Sequence, residues 1–245
     1  MAYIGLTKLS VDGNSVIMKS RKRLLFVGPR KRSFRSFMQQ DLDVLKREFD
    51  VRFINFYVDP LDLKATCISF YNLITGIAWA DVVFCWFAGS EAFFATAFSQ
   101  VFHKKTAIVV GGGDVTSIPE IGYGAPLGPK GRFYTKFILN RATKVLPYSK
   151  DAEKNVRFLK RAGRVELVYL GIDTEKFCSS KTKRDEVITV SDVRRQTLRR
   201  KGLETFVKSA AYLPEVKFFL IGQFRDDSIN YLRLIASKND AINLR

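Results

Sequence analysis

Five cations lie close together late in the chain, just before a predicted helix. They are Arg194, Arg195, Arg199, Arg200 and Lys201, and Gly202 follows them. Such a segment can hold a diphosphate, because the cations neutralise its charge and the first backbone N–H groups of a helix, here at Gly202 and Leu203, donate to it. A nucleoside diphosphate gains negative charge as it departs in a group transfer, so the same cations would also lower the barrier. Spacing alone is equally compatible with a solvated basic turn.

A glycine-rich loop follows another predicted strand earlier in the chain. Gly112 and Gly113 would let the backbone approach a ligand closely, and Asp114 could accept hydrogen bonds from sugar hydroxyls. Asp114 is therefore the tentative catalytic residue. Glu120 and Tyr123, later in the same loop, are further candidate cleft residues. The alternative is a flexible turn in which Asp114 only caps the residues that follow.

A second basic loop follows the first predicted strand, where Gly28 precedes Arg30, Lys31, Arg32 and Arg35. The loop has neither the glycine pattern of a P-loop nor that of a dinucleotide-binding turn. It could bind phosphate or an anionic lipid surface, although an exposed basic loop is the preferred interpretation. Gly28 remains a candidate cleft residue because it ends the strand.

The composition favours anionic partners and gives little support to metal or disulfide chemistry. The 245 residues carry a formal net charge of +17 and are 47% hydrophobic, which suffices for one or two ordinary cores. The single histidine, His103, argues against a histidine-ligated metal centre. Cys67, Cys85 and Cys178 lie far apart, which favours reduced thiols in a cytoplasmic protein. Neither a secretory signal nor a membrane-spanning helix is predicted.

Strands and helices alternate along the chain, which predicts an α/β fold with a mostly parallel, doubly wound sheet. After an N-terminal extension at 1–20, a first domain at 21–178 has predicted strands at 24–27, 51–56, 82–87, 106–110, 144–146 and 165–169. A second alternation, with strands at 187–190, 216–221 and 242–244, forms an incomplete second domain at 179–245. Ligands of such sheets bind beyond the carboxyl ends of the strands, which places Gly28 and the glycine-rich loop around one crevice.

The helix starts are predicted from capping residues. Ser33 is the expected N-cap of the first helix, and Asp59, followed by Pro60 at the first helical position, is that of the second. Ser149 is expected to cap the helix that follows the fifth strand. Further helices are predicted at 132–141, 202–213 and 226–237.

Several short motifs together resemble those of retaining glycosyltransferases of the GT-B type, group 1, which are similar to family 4. They are Arg200-Lys201-Gly202, Gly171-Ile172-Asp173 and the loop residues Pro119-Glu120-Ile121-Gly122-Tyr123-Gly124. The resemblance implies a Rossmann-like acceptor-side domain followed by a Rossmann-like donor-side domain. It further implies that Lys201 binds the donor diphosphate. The family's usual Gly-Arg-Leu is replaced by Ser191-Asp192-Val193, so the partner arginine must be Arg194 or Arg195.

The resemblance implies transfer of a sugar from a nucleotide-diphosphate-sugar donor, with retention at the anomeric carbon, to a glycan or lipid-linked acceptor. It implies no cofactor and no obligatory metal. Many relatives carry a histidine in the acceptor-side loop, and none stands in this one. The family's Glu-x7-Glu motif belongs to a later part of the second domain than this sequence covers. We therefore expect the donor site to be incomplete and transfer by this chain alone to be negligible.

Two other classes of function stay open. The first is a catalytically silent module that binds an anionic glycolipid or a nucleotide. The second, less favoured, is a nucleic-acid-binding protein driven by the positive charge, although no specific nucleic acid is expected as a partner. A cytoplasmic location with peripheral contact to an anionic membrane is compatible with the charge.

Overall fold

The computed structural model describes residues 21–29, 35–159, 164–177 and 182–244. They divide into two compact units. The first runs to Ser117 and resumes at Gly124–Gly171, and the second combines Ile118–Tyr123 with the chain from Ile172 onward. Several predicted features lie outside the described residues, namely the extension at 1–20, the helix cap Ser33, Cys178 and the loop cations Arg30, Lys31 and Arg32.

The first unit is built on a parallel sheet, as the alternation predicts. Its strands are β1 (Arg23–Gly28), β2 (Asp50–Asn55), β3 (Val82–Trp86), β4 (Lys105–Val110) and β5 (Lys144–Pro147). Among the described residues they form a five-stranded sheet in the order β2-β1-β3-β4-β5, with every neighbouring pair parallel. The predicted strand at 165–169 is reduced to a parallel bridge between Val165 and Val145, supported by bonds from the Glu166 and Val168 N–H groups to β5 carbonyls.

Helices cover both faces of this sheet. They are α1 (Ser36–Glu48), α2 (Leu63–Trp79), α3 (Ser90–Val101), α4 (Pro129–Arg141) and α5 (Lys150–Leu159). One core joins the sheet to α2, α3, α4 and α5 through residues such as Leu73, Ala95, Ile138 and Val156. The core on the opposite face joins it to α1, whose Met38, Leu42 and Leu45 fall on one helical stripe. Packing on both faces explains why the strands read as continuous apolar runs.

Two of the three predicted caps can be compared with the structure. Ser149 Oγ accepts the Ala152 N–H at 3.1 Å, so this cap is confirmed. The cap of α2 was predicted wrongly: it is Asp62, whose carboxylate accepts the Ala65 N–H at 2.8 Å. Asp59 instead accepts the Leu61 N–H at 3.1 Å and shapes the turn before the helix. Residues 60 and 61 thus form a turn, and the helix begins three residues after the expected Pro60.

The second unit has its own smaller parallel sheet. Strands β6 (Glu186–Val190) and β7 (Lys217–Ile221) pair in parallel, and the helices are α6 (Arg195–Arg200), α7 (Leu203–Ala210) and α8 (Ser228–Lys238). Val193, Leu203, Val207 and Leu232 form its buried core. The predicted strand at 242–244 is only a bridge between Leu244 and Phe218. Within the described ranges, no helix combines the length and apolar character needed to cross a membrane.

Candidate functional site

The basic segment after β6 forms the short helix α6, where a loop was predicted. Thr197 explains the difference, because its hydroxyl accepts the Arg194 N–H at 3.0 Å and lies 2.7 Å from the Asp192 carbonyl oxygen. Asp226 also accepts the Arg195 N–H at 3.0 Å. These side chains satisfy N–H groups that the first turn of a helix leaves unpaired.

Gly202 joins α6 to α7. Its φ of 65° is left-handed, and its N–H donates to the Arg199 carbonyl at 3.1 Å, as at many helix C-termini. This N–H, which the sequence assigns to a phosphate, is therefore engaged within the turn. Lys201 is exposed at the C-cap of α6, and Arg194 is exposed at its N-cap.

Arg200 binds the segment Ile118–Tyr123 to α6. Its guanidinium lies over the Tyr123 ring at 4.4 Å from the centroid and donates to the Tyr123 hydroxyl at 3.3 Å. The segment itself is closed by an antiparallel bridge between Ile118 and Tyr123. The sequence placed these residues in the first domain, whereas they pack with the second unit. The stacking of a cation on an aromatic ring accounts for this placement.

Beside this packing lies an open cavity of about 750 Å³, within the second unit. Such a volume lies in the range of small-molecule sites. The cavity opens beyond the carboxyl ends of β6 and β7, where ligands of parallel sheets bind. Its lining residues are Glu120, Ile121, Arg195, Leu198, Arg199, Glu204, Asp226, Asp227, Ser228 and Tyr231. Of the predicted site residues, Arg195 and Glu120 meet here, whereas Arg194, Lys201, Gly202 and Tyr123 are not among the lining residues.

The cavity has a mixed charge. Two guanidinium groups, of Arg195 and Arg199, face four carboxylates. One of the four, Asp226, accepts from the backbone N–H groups of Arg195 and Ser228 at 3.0 and 2.9 Å. The Ser228 side chain, followed by these N–H groups, holds the pKa of Asp226 below its usual range. Asp226 is thus ionised and ties the start of α6 to the start of α8.

The other predicted residues lie in the first unit, at the carboxyl ends of its strands. Asp114 accepts the Ala88 N–H at 3.0 Å and the Gly111 N–H at 3.1 Å, so it connects the loops that follow β3 and β4. Gly112, with φ of 76°, and Gly113 form the short 3-10 turn that carries Asp114. Gly28 is buried at the end of β1, and its carbonyl accepts the Phe56 N–H at 2.9 Å.

Several residues of these sites have no clear signal in the sequence. Phe87, directly after β3, adopts φ of 65°, which is rare for an aromatic residue and is typical of functional loops. The ring of Tyr148 lies where a Cβ at position 111 would sit, so any residue larger than glycine there would have to displace the ring. For Asp226, the spacing to Ser228 is that of an Asx turn and could have suggested a helix cap. Among the described residues, no group of His, Cys, Asp or Glu is arranged to hold a metal ion.

Asp114 is expected to make stability fall as the pH rises. Burial raises its pKa from 3.8 to about 6, although the N–H groups of Ala88 and Gly111 oppose the shift. The folded chain therefore holds this proton more tightly than the unfolded chain. The resulting stabilisation is complete below the unfolded pKa and is lost as the pH rises through about 6, which corresponds to at most about 3 kcal/mol.

Urea unfolding of the wild type and of Asp114→Asn, in steps from about pH 4 to about pH 7, measures this loss. As the pH rises, the free energy of unfolding of the wild type should fall relative to that of Asp114→Asn. Asp41, whose pKa burial also raises to about 6, contributes equally to both proteins. A difference that stays constant across this range would contradict the assignment.

Comparison with known proteins identifies the fold. No protein-family model matches the sequence, and no match is found among curated proteins. The structure is similar to the Anabaena protein HepE in complex with UDP and glucose, with a TM-score of 0.63 and 12% identity over 92% of this chain and 68% of that one. It is also similar to Staphylococcus aureus MnaA with UDP (TM-score 0.54, 13% identity, 91% and 67% coverage). For the UDP-N-acetylglucosamine 2-epimerase of Rickettsia bellii the TM-score is 0.51, at 9% identity and 92% and 68% coverage.

These similarities show a GT-B type of fold with a Rossmann-like parallel sheet, as the sequence motifs predict. The chain spans about two thirds of the length of each of the three proteins.

Proposed function

We propose that this chain is a nucleotide-sugar-dependent glycosyltransferase that binds the donor in the cavity of the second unit. The supporting observation is that Arg195 and Arg199, from the basic segment, line the same cavity as Glu120, from the glycine-rich loop. Transfer with retention, without a cofactor or an obligatory metal, to a glycan or lipid-linked acceptor is part of the proposal, through the resemblance of the motifs. The complexes of HepE and MnaA with UDP are consistent with it.

The charges of the cavity suit a nucleotide sugar better than a simple anion. The guanidinium groups of Arg195 and Arg199 can bind diphosphate oxygens with two parallel hydrogen bonds each. Glu120, Glu204 and Asp227 carry acceptors for sugar hydroxyls. A long polyanion such as DNA would meet these carboxylates as well as the cations, which disfavours it. The mixed lining therefore supports the enzyme over the nucleic-acid-binding alternative.

The cations at the two ends of α6 complete the proposed diphosphate site. Arg194 and Lys201 are exposed there and add positive charge close to the cavity-lining side chains of the same helix. In a transfer reaction this charge would stabilise the departing nucleoside diphosphate. Asp226 would hold Arg195 in place, since its carboxylate accepts the Arg195 N–H.

Asp114 receives a different role from the one its sequence suggests. Its carboxylate is engaged by two backbone N–H groups, of Ala88 and Gly111. We therefore propose Asp114 as a positioning residue for the loops after β3 and β4. The backbone of Gly112 and Gly113 would then line the acceptor side.

Calorimetric titrations with UDP, UMP, GDP, GMP and the corresponding UDP- and GDP-sugars test the proposal. For one of the two bases, the nucleoside diphosphate should bind at least tenfold more tightly than the monophosphate, because the cations need the second phosphate. The sugar conjugate of that diphosphate should bind at least as tightly as the diphosphate. Equal affinity for mono- and diphosphates would contradict the site. Tighter binding of a random oligonucleotide, with a steep salt dependence, would favour the nucleic-acid alternative.

A further inference from the structure

The helices on one face of the first unit carry an unusual distribution of charge. In α2, α3 and α4 together, Glu91 is the single acidic residue. The same helices carry five cations, Lys64, Lys130, Arg132, Lys136 and Arg141. On the opposite face, α1 balances Asp41, Asp43 and Glu48 against Lys46 and Arg47. Among these helices, the excess of positive charge lies on the face of α2, α3 and α4, whereas α5 on the same face adds both cations and the carboxylates Asp151 and Glu153.

The same side exposes large apolar side chains. Leu61 and Leu63, at the start of α2, are 98% and 71% exposed, and Ile68 and Tyr71 further along are 51% and 68% exposed. On α4, Phe133 is 58% exposed. Isolated exposed apolar residues are normal, whereas several on adjacent helices that share a cationic surface indicate an interaction site.

A continuous set of ring contacts supports this surface from below. Phe70 of α2 contacts Phe94 of α3 at 5.1 Å between centroids, and Phe94 contacts Phe93 at the same distance. Phe93 then stacks on Tyr134 of α4 at 4.5 Å and contacts Phe133 at 5.6 Å. The exposed ring of Phe133 is therefore held on a packed layer of rings that joins the three helices side by side.

We infer that this surface binds an anionic lipid bilayer. It comprises Leu61, Leu63, Tyr71, Lys130, Phe133 and Lys136, and we call it the lipid face. Apolar tips can enter the boundary between headgroups and acyl chains, while lysines pair with lipid phosphates and Tyr71 suits the interface. A protein partner of ordinary composition would offer cations as well as carboxylates to this surface, whereas an anionic bilayer complements all of its cations. The exposed Asp62, between Leu61 and Leu63, is a carboxylate that such a bilayer would repel. The inference does not rest on the proposed function.

Flotation with phospholipid vesicles tests the inference. The full chain should bind vesicles with one phosphatidylglycerol for every two phosphatidylcholine molecules, and should bind pure phosphatidylcholine vesicles much more weakly. Lys130→Glu/Lys136→Glu should lower the partition coefficient by at least about 25-fold, or about fivefold for each cation removed. Leu61→Ser/Leu63→Ser should lower it by at least about tenfold. All of these positions are exposed, so the variants should keep the wild-type circular dichroism spectrum.

The matched control is Lys46→Glu/Arg47→Glu on α1, which changes the net charge by the same amount at exposed positions on the opposite face. It should reduce binding by no more than about twofold to threefold, in line with the weaker long-range charge effect. Equal losses for the two charge reversals would overturn the inference and indicate diffuse attraction by the whole protein. No binding to anionic vesicles would also overturn it. So would a concentration-dependent dimer in sedimentation that Leu61→Ser/Leu63→Ser abolishes, because the face would then bind a second copy.

Discussion

Replacing both Arg195 and Arg199 by alanine is expected to weaken nucleoside diphosphate binding about 30-fold. Both guanidinium groups line the cavity of the second unit, and both are exposed enough that each should contribute roughly 1 kcal/mol instead of the larger value of a buried charged hydrogen bond. Isothermal titration of the wild type and of the double variant with the preferred nucleoside diphosphate measures the effect.

The control for this prediction is Lys183→Ala/Arg184→Ala, which removes the same charge from exposed positions just before β6. It should weaken binding less than about threefold, because neither residue lines the cavity. Lys201→Ala, also outside the lining, should fall between the two double variants. If both double variants weaken binding equally, the cations act as a diffuse basic patch and the cavity does not hold the diphosphate.

Gly124→Ala is expected to destabilise the first unit by more than about 3 kcal/mol. Gly124 adopts φ of 123°, which L-residues rarely reach, and a Cβ there would collide with the carbonyl oxygen of Thr116. The Cβ is fixed to the backbone of residue 124 and the oxygen belongs to the backbone of Thr116. Neither can therefore move aside without reshaping the loop that carries Glu120 and Tyr123. Chemical denaturation followed by circular dichroism measures the loss.

Gly122 offers a close comparison within the same loop. It is also left-handed, with φ of 61°, but a Cβ there would meet no atom within 4 Å. Gly122→Ala should therefore cost only the backbone preference, about 1 to 2 kcal/mol. Similar losses for the two variants would show that backbone conformation alone sets the cost and that the contact with Thr116 is easily relieved.

The sequence predicts the first unit well because its signals are local. Apolar runs between helical stripes fix β1 to β5, and Ser149 is recognisable as a cap from its position before α5. It misassigns the cap of α2, because Asp59 and Asp62 both precede an apolar helix and only the turn between them decides which one lies at its start. Such a choice depends on three-dimensional backbone geometry.

The candidate site is predicted only in part, because it depends on contacts between residues distant in sequence. The basic segment marks Arg195, and the glycine-rich loop marks Glu120, from local composition. Nothing local indicates that Arg200 stacks on Tyr123 and brings the two segments together. The carboxylates of Asp226 and Asp227 enter the cavity from a third segment, after β7, and change its charge from basic to mixed.

Backbone amide NMR during a titration with the preferred nucleotide sugar tests the central claim most directly. The account predicts that the largest chemical-shift changes fall around the cavity lining, at 120–121, 195–199, 204, 226–228 and 231. It further predicts that these changes saturate with a single dissociation constant. Largest changes at Gly28 and at 111–114, or small changes spread over lysines and arginines of both units, would contradict the assignment of the donor site to this cavity.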